Sequence, residues 1–519
     1  MTSTKAVDNP HPRHTFDGKG TSATHFGEEV SMCRVFHPRA GGGAGLRVAL
    51  VIVSVLAAGG AAAWACVVDV EGGDSFNSIN DALATLDKEV RNRLNISGTC
   101  TEAVVIDGFS ELVVWAAPGA GIVRPVPGSG EPEQAALTIK GSRVSVEGLT
   151  IEGPGLYGYS PALVIVSRSS LFFGGCTIRD SAPATGLDAQ DHSDVQIIGT
   201  TVADNGTGIA AGTSAHVQIS NFWGDLNTIE NNGSGISASR DALVEVGLAI
   251  IRNNTQGAVG ASNGAAVNLG SWGWGQVTIT GNGLGDPNDP KYPNNPLPAV
   301  QASDGGIIWV IQPTAIVDNY GTGVGALSNG RVYVCCGASP EDTPITGNGG
   351  WGFDAWMGGG IYFWGPALVE GNLRGGVSVD SSEAYLCPAV LIFGNGDSSD
   401  PDSFGGLAVG TNARVQSSAT VIDNHGPGVF ISTGATADFG PDAVISGNRG
   451  YGVELEAAST AMFMDGATVN DNRGFDLVCS SGSVAGAPQG MHPVIGKKKC
   501  PTWTQLRGYP AWLEYLNEP

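Results

Sequence analysis

The sequence predicts an all-β solenoid: short coils stacked on one another, three short strands to each coil, around one continuous core. Three observations carry this expectation. An asparagine followed closely by glycine recurs at Asn205, Asn232, Asn254, Asn282, Asn319, Asn348, Asn372, Asn395, Asn424, Asn448 and Asn472, with spacings from 22 to 37 residues and 22 to 24 commonest. A period in that range marks a repeat architecture. Segments starting at Gly186 (GLDAQDHSDVQI), Gly208 (GIAAGTSAHVQI) and Gly235 (GISASRDALVEV) align without gaps. The composition fits frequent turning: 79 glycines in 519 residues and 14% charged residues, too apolar for disorder and without a collagen triplet.

Each aligned segment reads as an alternating strand, a turn and a second alternating strand, and the asparagine segment supplies a third. Alternation points Ile209 and Ala211 inward with Ala210 outward, then Val217 and Ile219 inward with His216 and Gln218 outward. Three short strands cannot bury a face alone, so the coils must stack in parallel, with inward residues in columns about 4.8 Å apart. The asparagines then have a structural role. Each bends the chain between strands, and its amide bonds to the asparagines above and below, satisfying buried polar groups. The neighbouring glycines are expected to supply positive φ at the turns.

The Asn-x-x-Gly-Val/Ile units resemble those of right-handed parallel β-helix proteins, the pectate-lyase-like superfamily, over roughly residues 100–478. The resemblance implies right-handed coils, in line with the general hand of parallel crossovers. It also implies a helical N-terminal cap, since an open coil exposes strand edges. SFNSINDALATLDKEVRNRL (75–94) places Ile79, Leu83, Leu86, Val90 and Leu94 on one helical stripe, with Ser75 or Asn77 able to start it. The far end, KKKCPTWTQLRGYPAWLEYLNEP, lacks the repeat; its Trp503, Trp512 and Tyr515 are expected to cover the last coil or to bind a partner.

The chain therefore divides into a polar, basic, disordered lead (1–46), a hydrophobic signal or membrane-anchor helix (47–65), an N-terminal cap (66–99), the β-helix (100–478) and a C-terminal cap or tail (479–519). No charge follows Arg47 until Asp69, and that run is long enough to span a bilayer. Arginines before it and acids after it place the body outside the cytoplasm, secreted or at the cell surface. Three fates of the run stay open: a cleaved signal ending at Ala63-Trp64-Ala65, an uncleaved anchor that ties the protein to the membrane, or lipidation at Cys66. A start at Met32 would give a compact basic n-region. In an oxidising compartment, pairs Cys66–Cys100 and Cys479–Cys500 would staple the two ends. Cys387 falls in an inward column and reads as a small core residue.

Chemistry is fainter. A net charge of −23 repels phosphate backbones and argues against nucleic acid as a partner. The polygalacturonase motifs are absent: Asn424-His425-Gly426 lies on the ladder and only superficially matches one of them. No Asp-Pro-His epimerase motif occurs, and Asp191-His192 lacks the aromatic context of a pectate lyase. No catalytic residue transfers from these families, so the sequence leans away from an enzyme. Register does select an outward group. Trp356 and Asp380 occupy equivalent places on adjacent coils, with Asp354 beside them, and a tryptophan bordered by acids suits a sugar ring. Trp272, Trp274, Trp309, Trp351, Trp356 and Trp364 crowd about four coils. Two insertions, 283–298 and 396–406, leave the same edge nearby. No cofactor is expected; Asp397, Asp400 and Asp402 could offer oxygen ligands for calcium, but their spacing matches no known loop motif and reads first as a solvated polar turn. The leading expectation is an exported β-helix protein with a binding face for polysaccharide or cell-surface glycan. The alternatives are a divergent polysaccharide lyase, hydrolase or epimerase on the same face, and a structural or adhesive stalk.

Overall fold

The structure, a computed structural model, describes residues 65–127, 132–154, 161–220, 224–270, 275–285, 296–397, 399, 404–480 and 482–506. The hydrophobic run at 47–65 lies outside the described residues apart from Ala65. Among the described residues no helix is long and apolar enough to cross a membrane.

Each coil runs through three sheets in turn. In one coil the strand Trp351–Trp356 belongs to a first sheet, Gly360–Phe363 to a second and Ala367–Glu370 to a third. The chain then passes Asn372 and returns to the first sheet at Gly375–Asp380. The first and third sheets each hold 16 strands and the second 19. Coil-to-coil pairing is parallel throughout. The antiparallel exceptions are at the N-terminal end, where Val67–Val70 pairs with Ser75–Phe76 and Arg91–Ser97. Inward columns are apolar along their length, as in Val300–Val324–Phe353–Val377–Leu407–Val429. Every member of that column is fully buried, which is the main stabilising term for coils too small to fold alone.

The asparagines form one buried column. Asn348 donates from its backbone N–H and from Nδ2 to Asn372 Oδ1 (3.1 and 2.9 Å), and from Nδ2 to the carbonyl of Ile316 (3.2 Å). Asn372 repeats the pattern onto Asn395. The column therefore has a direction: from one asparagine to the next, every amide donates toward the C-terminal end. At its start, Ser181 donates from N–H and Oγ to Asn205 Oδ1. At its finish, Asp476 Oδ1 accepts from the N–H and Nδ2 of Asn472 (3.1 and 3.0 Å), and Asp476 Oδ2 accepts from Lys497 N–H (2.7 Å). A carboxylate suits that end because it accepts without needing to donate.

The turn glycines follow the expectation only in part: Gly281, Gly347, Gly371, Gly394 and Gly447 do supply positive φ. The left-handed residue comes just before each ladder asparagine, and Asp204, Asn231, Asn253, Asp318, Asp423 and Asp471 share that place with glycines, the residue types that tolerate it. The glycine that opens the following strand serves close approach instead. At Gly352 a Cβ would lie 2.9 Å from Asn372 Nδ2 and 2.7 Å from the carbonyl of Gly376. The repeated glycine lets the next amide reach the backbone.

At the N-terminal end the helix is much shorter than the 75–94 stripe suggested. It spans Ile79–Thr85, with Ser78 as N-cap accepting from Asp81 N–H, and it buries Ile79, Ala82 and Leu83. Leu94 lies instead in the strand Arg91–Ser97, where it is buried: β-pairing with Glu111–Ala116 outcompetes the helical pattern. The segment after 478 is also corrected. Strands Val484–Pro488, Val494–Ile495, Lys498–Lys499 and Trp503–Leu506 continue all three sheets. Trp503 packs on the core and stacks on Phe463 at 6.2 Å, while Trp512 and Tyr515 lie outside the described residues. Disulfides join Cys66 to Cys100, Cys479 to Cys500, and the neighbours Cys335 and Cys336. Three such bonds fit an oxidising compartment. Cys387 is half-buried against the core, its thiol donating to the Gly365 carbonyl at 3.4 Å.

Candidate functional site

The outward face of the first sheet carries a groove of about 640 Å³. Its floor is two outward columns. One runs Gln301–Gly325–Asp354–Ser378–Ala408–Phe430; the other runs Ser303–Leu327–Trp356–Asp380–Gly410. Pairing sets Trp356 directly against Asp380 and Asp354 against Ser378. Trp356 is 49% exposed, whereas Trp351 on the same strand is buried. The Trp351 ring lies over Gly375 on the next coil, where a Cβ would come within 2.1 Å of it.

Both insertions border this groove through their described ends: Pro296, Leu297 and Pro298 from one, Phe404 from the other. Phe404 bridges Trp351 and Phe430, with ring centroids 5.6 and 6.0 Å away. Burial pushes the Asp354 carboxyl above the usual aspartate range. The Ser378 hydroxyl and Arg374 pull it back, and Asp380 pushes it up. Ser381 Oγ donates to Asp380 Oδ1 at 3.3 Å and to the Thr411 carbonyl at 3.1 Å, which holds the turn beside the groove. The arrangement is an aromatic face, two carboxyls, one guanidinium and small residues between them.

Sequence register located Trp356, Asp354 and Asp380, and the structure brings the three together. It missed Arg374, which sits in the ladder turn rather than on an alternating strand. It also missed Phe430, which continues the Asp354 column and could have been read from it. The tryptophan cluster divides: Trp309 stands on the second sheet, Trp364 directly follows the strand Gly360–Phe363 of that sheet, and Trp272 and Trp274 lie outside the described residues. Trp309 stacks on Tyr333 at 4.4 Å and Tyr333 on Tyr362 at 5.0 Å, so these rings cover one another's faces.

The suggested calcium ligands are not assembled among the described residues. Asp397 is exposed and accepts from Ser399 N–H and Oγ, each at 2.7 Å, which holds its carboxyl below the usual range. Asp400 and Asp402 lie outside the described residues. The one metal-spaced group among those described is Cys66, Cys100 and Glu102, and its two sulfurs are joined in a disulfide. Asp191 and His192 are both left-handed turn residues.

Three parallel sheets, a coil repeat and an internal amide column define the class: the described chain is a parallel β-helix repeat protein. The family model described as right handed beta helix region matches residues 135–289. Two solved structures align with it. One is the A-module of the Azotobacter vinelandii mannuronan C-5 epimerase AlgE4, at 15% identity, covering 80% of this chain and 90% of that one, with a TM-score of 0.19. The other is the A-module of AlgE6 from the same organism, at 12% identity, 80% and 89% coverage and a TM-score of 0.23. At these values neither likeness bears on the site. A comparison with curated proteins finds no match.

Proposed function

We propose that this is an exported protein whose first-sheet groove binds carbohydrate. The observation that carries the reading is the half-exposed Trp356 set against Asp380 on the groove floor, with Asp354 beside them. A pyranose has an apolar C–H face and a polar rim. Trp356 suits the face, and Asp354, Asp380 and Arg374 suit the hydroxyls of the rim. Export is supported by the disulfides and by the apolar run before Cys66, whether that run is cleaved, anchors the protein or leaves Cys66 lipidated. Affinity electrophoresis through gels containing xylan, alginate or polygalacturonate tests the binding. Trp356→Ala should weaken retardation about tenfold or more, as loss of a central aromatic anchor does. Unchanged retardation of that variant would sink the reading, and no retardation of any form would leave a structural stalk.

One observation favours catalysis on the same face. The raised Asp354 carboxyl, with Asp380 and Arg374 close by, has the makings of a proton donor in a divergent polysaccharide lyase, hydrolase or epimerase. New reducing ends, unsaturated products or altered uronate composition, assayed with and without calcium, would establish it. Asp354→Asn should then abolish turnover while leaving binding.

A further inference from the structure

The outward pattern of Trp356 occurs a second time, near the other end of the solenoid and on a different sheet. On the second sheet Trp115 pairs in register with Glu147 on the next coil, and Glu147 with Gly174 on the coil after. On the first sheet Trp356 pairs with Asp380, and Asp380 with Gly410. The strands match place for place. Leu112-Val113-Val114-Trp115 answers Phe353-Asp354-Ala355-Trp356. Val144-Ser145-Val146-Glu147 answers Val377-Ser378-Val379-Asp380, and Leu171-Phe172-Phe173-Gly174 answers Leu407-Ala408-Val409-Gly410. The two tryptophans are equally open, at 48% and 49% exposed.

The surroundings of Trp115 form a built recess. Two adjoining cavities, of about 580 and 360 Å³, share Trp115, Glu147 and Phe172 as walls. The Phe172 ring leans over Gly174, where a Cβ would meet it at 2.9 Å, and so supplies a second aromatic wall. The Arg93 guanidinium lies 5.0 Å from the Trp115 ring centroid; such a contact fixes a ring's orientation and keeps a donor beside it. In this recess Val113 stands where the groove has Asp354, and the other acids of the lining, Glu111, Asp194 and Asp225, stand at other places.

We infer that the Trp115 recess is a second saccharide-binding site. Trp115 takes the C–H face of the sugar beside the Phe172 wall, and Glu147 and Arg93 take its hydroxyls. The two tryptophans are nine coils apart along the second sheet's order, roughly 40 Å at the coil spacing, and they face outward from different sheets. One straight polysaccharide strand cannot lie across both. The protein is thus bivalent and joins separate glycan chains. The recess does not need the groove reading to hold, whereas the bivalency rests on both.

The test compares the full chain with Trp115→Ala, Trp356→Ala and the double variant, each checked by circular dichroism. Glu147→Gln serves as a second lesion in the recess should Trp115→Ala misfold. Gels containing xylan, alginate or polygalacturonate report binding, and turbidity of protein mixed with the same polymers reports bridging. Both single variants are expected to keep weakened retardation and to lose the turbidity, and the double variant to lose both. If Trp356→Ala alone abolishes retardation, the groove stands and the second site is overturned. If Trp115→Ala abolishes it and Trp356→Ala does nothing, the second site stands and the groove reading falls. Equal behaviour of the double variant and Trp356→Ala, or no retardation of any form, overturns the second site.

Discussion

The Trp115 and Trp356 columns present nearly the same outer surface on differently built coils. The coils beneath Trp356 are strapped by Asn348, Asn372 and Asn395, each buried and bonded to the next. The chain has no asparagine between Asn95 and Asn205, so the coils beneath Trp115 stack without the strap. The difference teaches that outward pattern and inward support are separable in a solenoid. Alternation sets what faces solvent, and the turn column sets how firmly each coil is held.

The most disruptive test of that separation is Asn372→Ala. It removes the acceptor for the N–H and Nδ2 of Asn348, and orphaned buried donors of this kind should cost about 3–5 kcal/mol locally. Hydrogen exchange should speed up in Trp351–Trp356 and Gly375–Asp380 and stay unchanged in Glu111–Ala116. Trp356-dependent glycan binding should be lost and Trp115-dependent binding kept. A uniform acceleration over both regions would refute the idea of independent support.

A smaller effect comes from the acid that only one column has. Burial raises the Asp354 carboxyl above its ordinary 3.8. An unfolded chain ionises this group at lower pH than the folded one, so ionisation opposes folding. That penalty is complete above the folded value, shrinks as the pH falls toward 3.8, and is gone below it. Asp354→Asn should therefore raise the melting temperature at neutral pH and lose the advantage in acid. A melting temperature that is lower than wild type at pH 7 would contradict the burial argument.

The smallest expected difference separates two equivalent serines. Ser378 bonds Asp354 and lowers its titration point, while Ser145 stands against Val113. Carboxyl NMR should show Asp354 titrating higher in Ser378→Ala and unmoved in Ser145→Ala. A shift in both variants would mean that the effect does not act through the hydrogen bond.

Much of this was readable in the chain because the asparagines are a ruler. From Asn205 onward they set the register, and register alone put Trp356 against Asp380. Upstream of Asn205 the ruler is missing, which is why Trp115 and Glu147 went unnoticed although their strands alternate just as clearly. Arg374 escaped for another reason: it projects from a turn, where alternation says nothing. The expected helix over 75–94 shrank because its apolar spacing also fits a strand in which Leu94 is buried, and only the available β-partner decides between the two. The insertions were visible as breaks in the period, but the contact of Phe404 with Trp351 and Phe430 depends on how the chain closes around them.

The aspartate at 476 has a bearing on how such a molecule can be lengthened. Asp476 lies four residues after Asn472, off the asparagine positions, and its carboxylate only accepts where an asparagine rung both accepts and donates. A new coil inserted between any two asparagines would find an acceptor below and a donor above, so duplication inside the stack leaves the wiring intact. An asparagine rung beyond Asp476 would find no side-chain donor, only carboxylate oxygens that already accept from Asn472 and Lys497. The amide column can lengthen in the middle and stops at Asp476, although the three sheets run on past it.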